Sequence, residues 1–386
     1  MLENRDRDVR ESALNSLLMT ARLRGERAVR AATFAAPSGA SRRTVFDCQN
    51  GTSLPVAVVA RTEDGPASAD ESVNLAFNGL GATRQFYKDV FDRNSIDGRG
   101  MRLDGYVHFA NRFNNAFWNG QEMVFGDGDG VVFTDFTKSL DVIAHELAHG
   151  VTEFTANLEY HKQPGALNES MSDVFGSLVK QWTLGQTAEQ ADWLIGPDIF
   201  TPGIDADALR SMKEPGKAFD NEFFGKDPQP DHMDRFAMLP DTDEGDWGGV
   251  HINSGIPNKA FYLTAMTIGG NAWDAPGHIW HEALLASHET TQFQEFAEST
   301  YAKAGQLFGC DEQRAVAEAW REVGIRLAGV PTGGRTRRPG RARETDEGRA
   351  APAEYGDSLT ALSKQIESLT VQVKTLSRDV KALKEK

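Results

Sequence analysis

The chain has 386 residues, 40% hydrophobic and 25% charged, and its 41 Lys+Arg against 56 Asp+Glu give a formal net charge of −15 at pH 7. That composition excludes a disordered or membrane-embedded protein, and the acidic balance disfavours nucleic acid or an anionic membrane as the main partner. The length exceeds what one core serves well, so two packed lobes with appendages are expected.

The opening stretch, MLENRDRDVRESALNSLL, mixes acids and bases and has no apolar core of roughly 7–15 residues, so it does not resemble a secretory signal peptide. Nor does any run of about 18 apolar residues suggest a membrane span. Residues 8–33 read as an Arg-rich helix, and AAPSGASRR at 35–43 as a flexible, cleavable connector, which makes 1–43 a propeptide-like segment. From Thr44 the pattern changes to short β-type runs, TVFDCQ, LPVAVVA, GYVHFA and MVFG, broken by Asn-Gly and Asp-Gly turns. MVFGDGDGVVF at 123–133 reads as two strands about a Gly/Asp turn.

The period then switches to helical in SLDVIAHELAHGVTEFTA at 139–156, with Ser139 as cap and Asp141 near the positive end. Further helices are predicted over 168–182, 258–268, 277–287 and 293–308. The fold class is therefore α+β, with a β-rich N-terminal lobe over 44–150 and an α-helical C-terminal lobe over 151–328. Beyond it, 329–357 has the Gly, Pro and charge content of a disordered linker. In the tail, 358–386, Leu359, Ile366, Val373 and Val380 repeat every seven residues, as do Leu362, Leu369, Leu376 and Leu383. Aliphatic a and leucine d positions predict a coiled coil and a possible parallel homodimer. Cys48 and Cys310 are too few for a disulfide framework and leave room for one long-loop bridge.

Chemistry concentrates in His145-Glu146-Leu147-Ala148-His149. On a helix, two histidines four apart share one face and can share one cation, with the intervening glutamate available as a base. The alternative, two solvated histidines on an exposed helix, conflicts with the apolar Val142, Ile143, Leu147 and Val151, because burying unpaired imidazoles beside a carboxylate is costly. A catalytic zinc takes three protein ligands and keeps a fourth position open. Glu169, twenty residues beyond His149, opens the next predicted helix with a carboxylate. Asp173, one turn on, and Asn168 can accept the remaining imidazole N–H groups.

The stretch HELAHGVTEFTANLEYHKQPGALNESMSDVFG resembles the active-site region of thermolysin-like proteases. VFDCQNGTSLP, NNAFWNGQEMVFGDGDG, DWLIGPDIFTPGIDADALRSM and DWGGVHINSGIPNKAFY recur in matching order, so the likeness runs from about Thr44 to Ala328. DCQNGTSLP, RNSID and GKDPQP point to the protealysin-type subgroup. The resemblance implies a zinc-dependent endopeptidase acting on proteins or peptides, with His145, His149 and Glu169 as ligands and Glu146 as general base. It implies His251 as oxyanion-stabilising residue, oriented by Asp246 and assisted by Tyr160. Arg210 would bind a substrate carbonyl, and Asn115 with the Ala116 backbone would position the peptide. Val142, Leu209, Phe133 and Phe136 would line the pocket after the scissile bond, giving cleavage on the amino side of bulky hydrophobic residues. Extracellular action is likewise implied.

Departures are visible. At the positions of a double calcium site stand Lys180, Leu194 and Pro197, which cannot ligate a hard cation, with Asp141 and Asp192 left beside them. That site is expected to be absent, while Thr201, Asp207 and the carbonyls of Phe200 and Ile204 match a single calcium site. The short proline-aromatic motif usual at the start of protealysin-type propeptides is missing. His278 and His281 are expected to be solvated, and Cys310 to be a packed small hydrophobe. Two alternatives compete: an aminopeptidase of the broader group, whose exopeptidase signature is not visible, and a non-catalytic zinc-bearing adhesion or scaffold module organised by the coiled coil.

Overall fold

In the computed structural model the described residues are 42–327 and, ahead of them, Val9, Arg10, Ser12, Ala13, Leu14, Ser16, Leu17 and Met19. The linker expected at 329–357, the coiled coil expected at 358–386 and most of the segment 1–43 lie outside the described residues.

The β-type runs build one five-stranded sheet from β1 (Arg43–Asp47), β2 (Val58–Thr62), β3 (Leu103–Val107), β4 (Ala116–Trp118) and β5 (Met123–Phe125). Their order is β2-β1-β3-β5-β4, so β4 is an edge strand. The β1–β3 and β3–β5 pairs are parallel, whereas β1–β2 and β4–β5 are antiparallel. The second strand expected in MVFGDGDGVVF does not form. Asp129 Oδ1 accepts the N–H groups of Val131, Val132 and Phe133 at 2.9, 2.8 and 3.1 Å, so donors that a ladder would need are used by a side chain. Only Phe133 makes an isolated bridge, to Phe200.

The N-terminal lobe also holds a 21-residue helix that the sequence reading did not assign, α1 (Glu71–Phe91). Asp70 caps it by accepting from Ser72 and Val73 N–H, and Val73, Ala76, Phe77, Leu80 and Tyr87 form its buried face. Two glycines inside the run weaken the helical signal.

α2 (Leu140–Glu153) contacts β4 and α1 on one side and α3 (Lys162–Leu184) on the other. It is buried along nearly its whole length: Val142, Ile143, Leu147, Ala148 and Val151 are all core residues. Ser139 is its N-cap residue without capping through its hydroxyl, which bonds Asp141 Oδ1 at 2.5 Å instead. α3 starts six residues before the expected 168, with Pro164 in a first turn whose N–H groups have no helical partner. The helical lobe continues through α4 (Asp246–Asn253), α5 (Gly255–Ile268), α6 (Ala275–Leu285), α7 (Phe293–Leu307) and α8 (Cys310–Glu322). The architecture is a two-domain one, β-rich then helical, with α2 at their junction.

Candidate active site

α2 puts the His145 and His149 rings one turn apart, 4.8 Å between centroids and at 90°. α3 brings Glu169 against them because a glycine stands at the crossing. A Cβ on Gly176 would lie 2.6 Å from the Asp141 carbonyl and 3.3 Å from His145 N. All three side chains are buried, and their ligand-type atoms fall within 4.8 Å of one another. His145 Nε2 is 3.5 Å from Glu169 Oε2, and His149 Nε2 is 3.5 Å from Glu169 Oε1.

The opposite edges of both rings are anchored. His145 Nδ1 pairs with Asp173 Oδ1 at 2.8 Å, and His149 Nδ1 with Asn168 Oδ1 at 2.7 Å and Ser172 Oγ at 3.0 Å. Both Nε2 atoms are thereby aimed at Glu169, whose buried Oε2 has no hydrogen-bond donor. Burial opposes charge on His145, yet the hydrogen bond to Asp173 and the nearby carboxylates of Asp173 and Glu169 push it up to about 10. Burial would likewise raise Glu169, but His251, His149 and His145 hold it well below the carboxylate range. The cluster calls for positive charge, and two imidazole nitrogens with one carboxylate, each backed by a second partner, fit zinc.

Glu146 lies on the same helix with Oε1 4.0 Å from His145 Nε2. Its Oε2 accepts the Trp118 N–H of β4 at 3.2 Å, which holds the carboxylate at the sheet edge. Across from it, the Tyr160 hydroxyl donates to Glu169 and lies 3.1 Å from His251 Nε2. His251 is fixed by Asp246, which takes its ring Nδ1 at 2.5 Å and its backbone N–H at 2.8 Å. This turn demands four consecutive positive φ values, 53° at Asp246, 50° at Trp247, 84° at Gly248 and 80° at Gly249.

Arg210 reaches in from β7 (Arg210–Ser211), the partner of β6 (Leu194–Ile195), and grips Asp173 with Nε and Nη2, both at 2.7 Å. Burial would lower Arg210, but Asp173 raises it further, and Arg210 with His145 keeps Asp173 ionised. Asn115 precedes the first residue of β4, Ala116. Val142 stands one turn before Glu146, Leu209 next to Arg210, and the Phe133 and Phe136 rings are 5.5 Å apart.

Residues 38–153 match the family model described as the catalytic domain of thermolysin metallopeptidase, and residues 156–325 match the model of its alpha-helical domain. The chain belongs to the thermolysin family. An extracellular metalloprotease of Pectobacterium carotovorum subsp. carotovorum is 48% identical over 293 residues, 75% of this chain and 83% of the relative. Protease PrtS of Photorhabdus sp. (strain Az29) is 50% identical over 287 residues, 74% of this chain and 76% of the relative. The solved precursor of protealysin from Serratia proteamaculans superposes with a TM-score of 0.72 at 44% identity, covering 80% of this chain and 98% of that one. The protein is thus a thermolysin-family neutral metalloendopeptidase whose His145, His149 and Glu169 fit the family's zinc site.

Several groups at this thermolysin-family site were missed by the sequence reading. Ser172 reinforces His149, Asn258 donates to Asp173 Oδ2 at 2.8 Å from 85 positions away, and the Trp118 N–H holds Glu146. Only Ser172 was within reach, one helical turn after Glu169.

Lys180 stands among the oxygens left at the positions of the double calcium site. Lys180 Nζ lies 2.8 Å from Asp141 Oδ2, 3.0 Å from Asp192 Oδ1 and 2.9 Å from the Leu194 carbonyl, so an ammonium already satisfies these oxygens. Two lesser expectations are corrected. Cys310 is exposed, because it opens α8. His281 is buried and stacked on Phe91 at 4.2 Å, and burial drives its pKa down to about 3, while His278 is half-buried with its ring edge-on to Phe91.

Proposed function

We propose that this metalloendopeptidase cleaves on the amino side of bulky hydrophobic residues, with one zinc ion held by His145, His149 and Glu169. The observation that carries the reading is Glu146, set between the β4 edge and the face where both Nε2 atoms converge. Zinc held there would supply Lewis acidity and would make the attacking water easier to deprotonate. Glu146 accepts the proton of the attacking water and returns it to the leaving amine. Asp173 and Asn168 keep both imidazoles in the tautomer whose Nε2 is free to ligate. His251, oriented by Asp246, and Tyr160 donate to the oxygen that becomes negative. Asn115 and the Ala116 backbone hold the substrate extended beside β4, and Arg210, braced by Asp173, takes a substrate carbonyl. Val142, Leu209, Phe133 and Phe136 supply the apolar pocket for the residue after the scissile bond.

Residues 1–43 act in this reading as a removable propeptide. Support comes from the described part of that segment: Val9 is buried in the main core, Ser12 Oγ donates to the Arg112 carbonyl at 2.8 Å, and Ser16 Oγ receives the Asn114 N–H at 2.8 Å, next to Asn115. The lobes span 44–150 and 151–328, a linker 329–357, and the tail 358–386 forms a homodimeric coiled coil. Calcium is not needed at the Lys180 position, and Thr201, Asp207 and the carbonyls of Phe200 and Ile204 are the one calcium site to test. Extracellular action is supported by the name of the Pectobacterium relative. Among the described residues no helix is long and apolar enough to cross a membrane.

Hydrolysis of casein by the purified protein, with and without a zinc chelator and with intact mass recorded on the same sample, tests the activity. A peptide set varied only after the scissile bond tests the preference. Equal rates for leucine, aspartate and glycine there would refute the pocket assignment.

A further inference from the structure

Two chain segments bring Tyr160 and His251 together. One is the turn ahead of α3, where Tyr160 is followed by His161, the N-cap residue, and by Lys162 at φ 50°. The other is the left-handed run Asp246–Gly249, entered from the loop 236–245. Four contacts join them. His161 Nδ1 lies 2.7 Å from Asp241 Oδ1, and Lys162 Nζ lies 3.3 Å from Asp241 Oδ2. The His161 and Trp247 rings meet edge to face at 5.2 Å and 87°. Finally, Gly248 presses on Lys162 so closely that a Cβ there would sit 2.8 Å from Lys162 Cγ and 3.3 Å from its Cα.

Asp241 is tied to that run by its own neighbours. The Pro240 carbonyl accepts the Gly248 N–H at 2.9 Å, and the Thr242 carbonyl accepts the Trp247 N–H at 2.8 Å. Any displacement of Asp241 therefore carries Trp247 and Gly248 with it, and these directly follow Asp246, the residue that orients His251.

We propose that His161 and Asp241 form a latch that sets the spacing of Tyr160 and His251, which makes both of them positioning residues for peptide hydrolysis. The inference rests on the reading of Tyr160 and His251 as donors to the oxyanion. An exposed pair of this kind adds little to global stability. Its effect is on geometry, and misplacing catalytic groups by a fraction of an ångström to one ångström is costly in rate. The side chains are 47% and 34% exposed, so their replacement leaves the core untouched.

The test uses the zinc-loaded enzyme from the full chain, with kcat and KM measured on an internally quenched peptide, zinc content and melting temperature on the same samples. His161→Ala and Asp241→Ala should each lower kcat on the order of tenfold with KM little changed. The double variant should lose less than the sum of the two single losses, because the His161–Asp241 contact is broken in all three. His161→Asn keeps a donor nitrogen at the position of Nδ1 and should recover most of the rate. Wild-type kcat in both alanine variants, additive losses, or losses matched by zinc release or a lowered melting temperature would overturn the latch. Tyr160→Phe and His251→Ala run alongside. If these leave kcat unchanged, the oxyanion reading falls and the latch with it; if they lower kcat while the latch variants do not, the latch alone is wrong.

Discussion

Replacing Lys180 by methionine should lower the melting temperature by about 6–15 °C at neutral pH. The ammonium lies 2.8 Å from Asp141 Oδ2, whose side chain is 0% exposed, so removing it leaves a carboxylate without countercharge in the core. Breaking a buried pair by deleting one partner costs about 3–5 kcal/mol. Asp192, 46% exposed, contributes little because water screens it. For a chain of this size each kcal/mol is worth about 2–3 °C, which gives the stated range. Burial works against charge on Lys180, but Asp141 and Asp192 raise its pKa above the ordinary lysine value. The stabilisation is therefore complete below that ordinary value and lost only as pH climbs through the raised one, so neutral buffer measures all of it. Scanning calorimetry at one fixed scan rate is the assay, since unfolding of a protease is readily irreversible. Adding Asp141→Asn to Lys180→Met should restore at least half of the loss, because a neutral amide needs no countercharge. A shift under about 2 °C, or a further loss in the double variant, would refute Lys180 as the countercharge of Asp141.

Glu146→Gln should keep zinc stoichiometry and abolish hydrolysis, since an amide cannot accept the proton, and it should stay full length if the propeptide is removed autocatalytically. Trimming of that variant in a protease-free preparation would exclude self-processing. His251→Ala should reduce kcat by roughly 10²–10³ with a smaller effect on KM; a change confined to KM would make it a ground-state binding residue. A chain ending at Ala328 should sediment as a monomer with full specific activity while the intact chain sediments as a dimer at micromolar concentration. A monomeric intact chain would end the case for a self-associating tail.

The zinc-site histidines were legible because His145 and His149 lie four apart on one helix, so periodicity puts both on one face. Glu169 comes from the next helix, and its carboxylate at the head of that predicted helix, with the likeness of the surrounding stretch, pointed to it. The start of α2 was readable from its apolar period, but the helix ends at Glu153, three residues before the expected 156. What escaped the sequence depended on distance or on competition between backbone and side chain. Asn258 meets Asp173 across 85 positions, and nothing in DWGGVHINSGIPNKAFY says that its amide turns inward. The lost second strand after Gly130 failed because the Asp129 carboxylate outbids a ladder partner for three N–H groups. His281 looked solvated because its spacing from His278 fits a helix face, yet that face is covered by Phe91 of α1, the helix that was not foreseen.

In the proposed binding mode, the position of β4 at the edge of the sheet determines what this enzyme can attack. A peptide that lies beside Ala116–Trp118 must offer an unpaired backbone of its own, which a natively folded segment has already committed to its neighbours. Susceptibility of a protein target then follows the fraction of time that its cleavable segment spends opened, when opening and reclosing are fast relative to cleavage. Each 1.4 kcal/mol of local stability in the target slows its destruction about tenfold, whatever the sequence at the bond. Two proteins with identical preferred residues can therefore differ in lifetime by orders of magnitude, and stiff loops protect a protein from this enzyme as effectively as the wrong side chain.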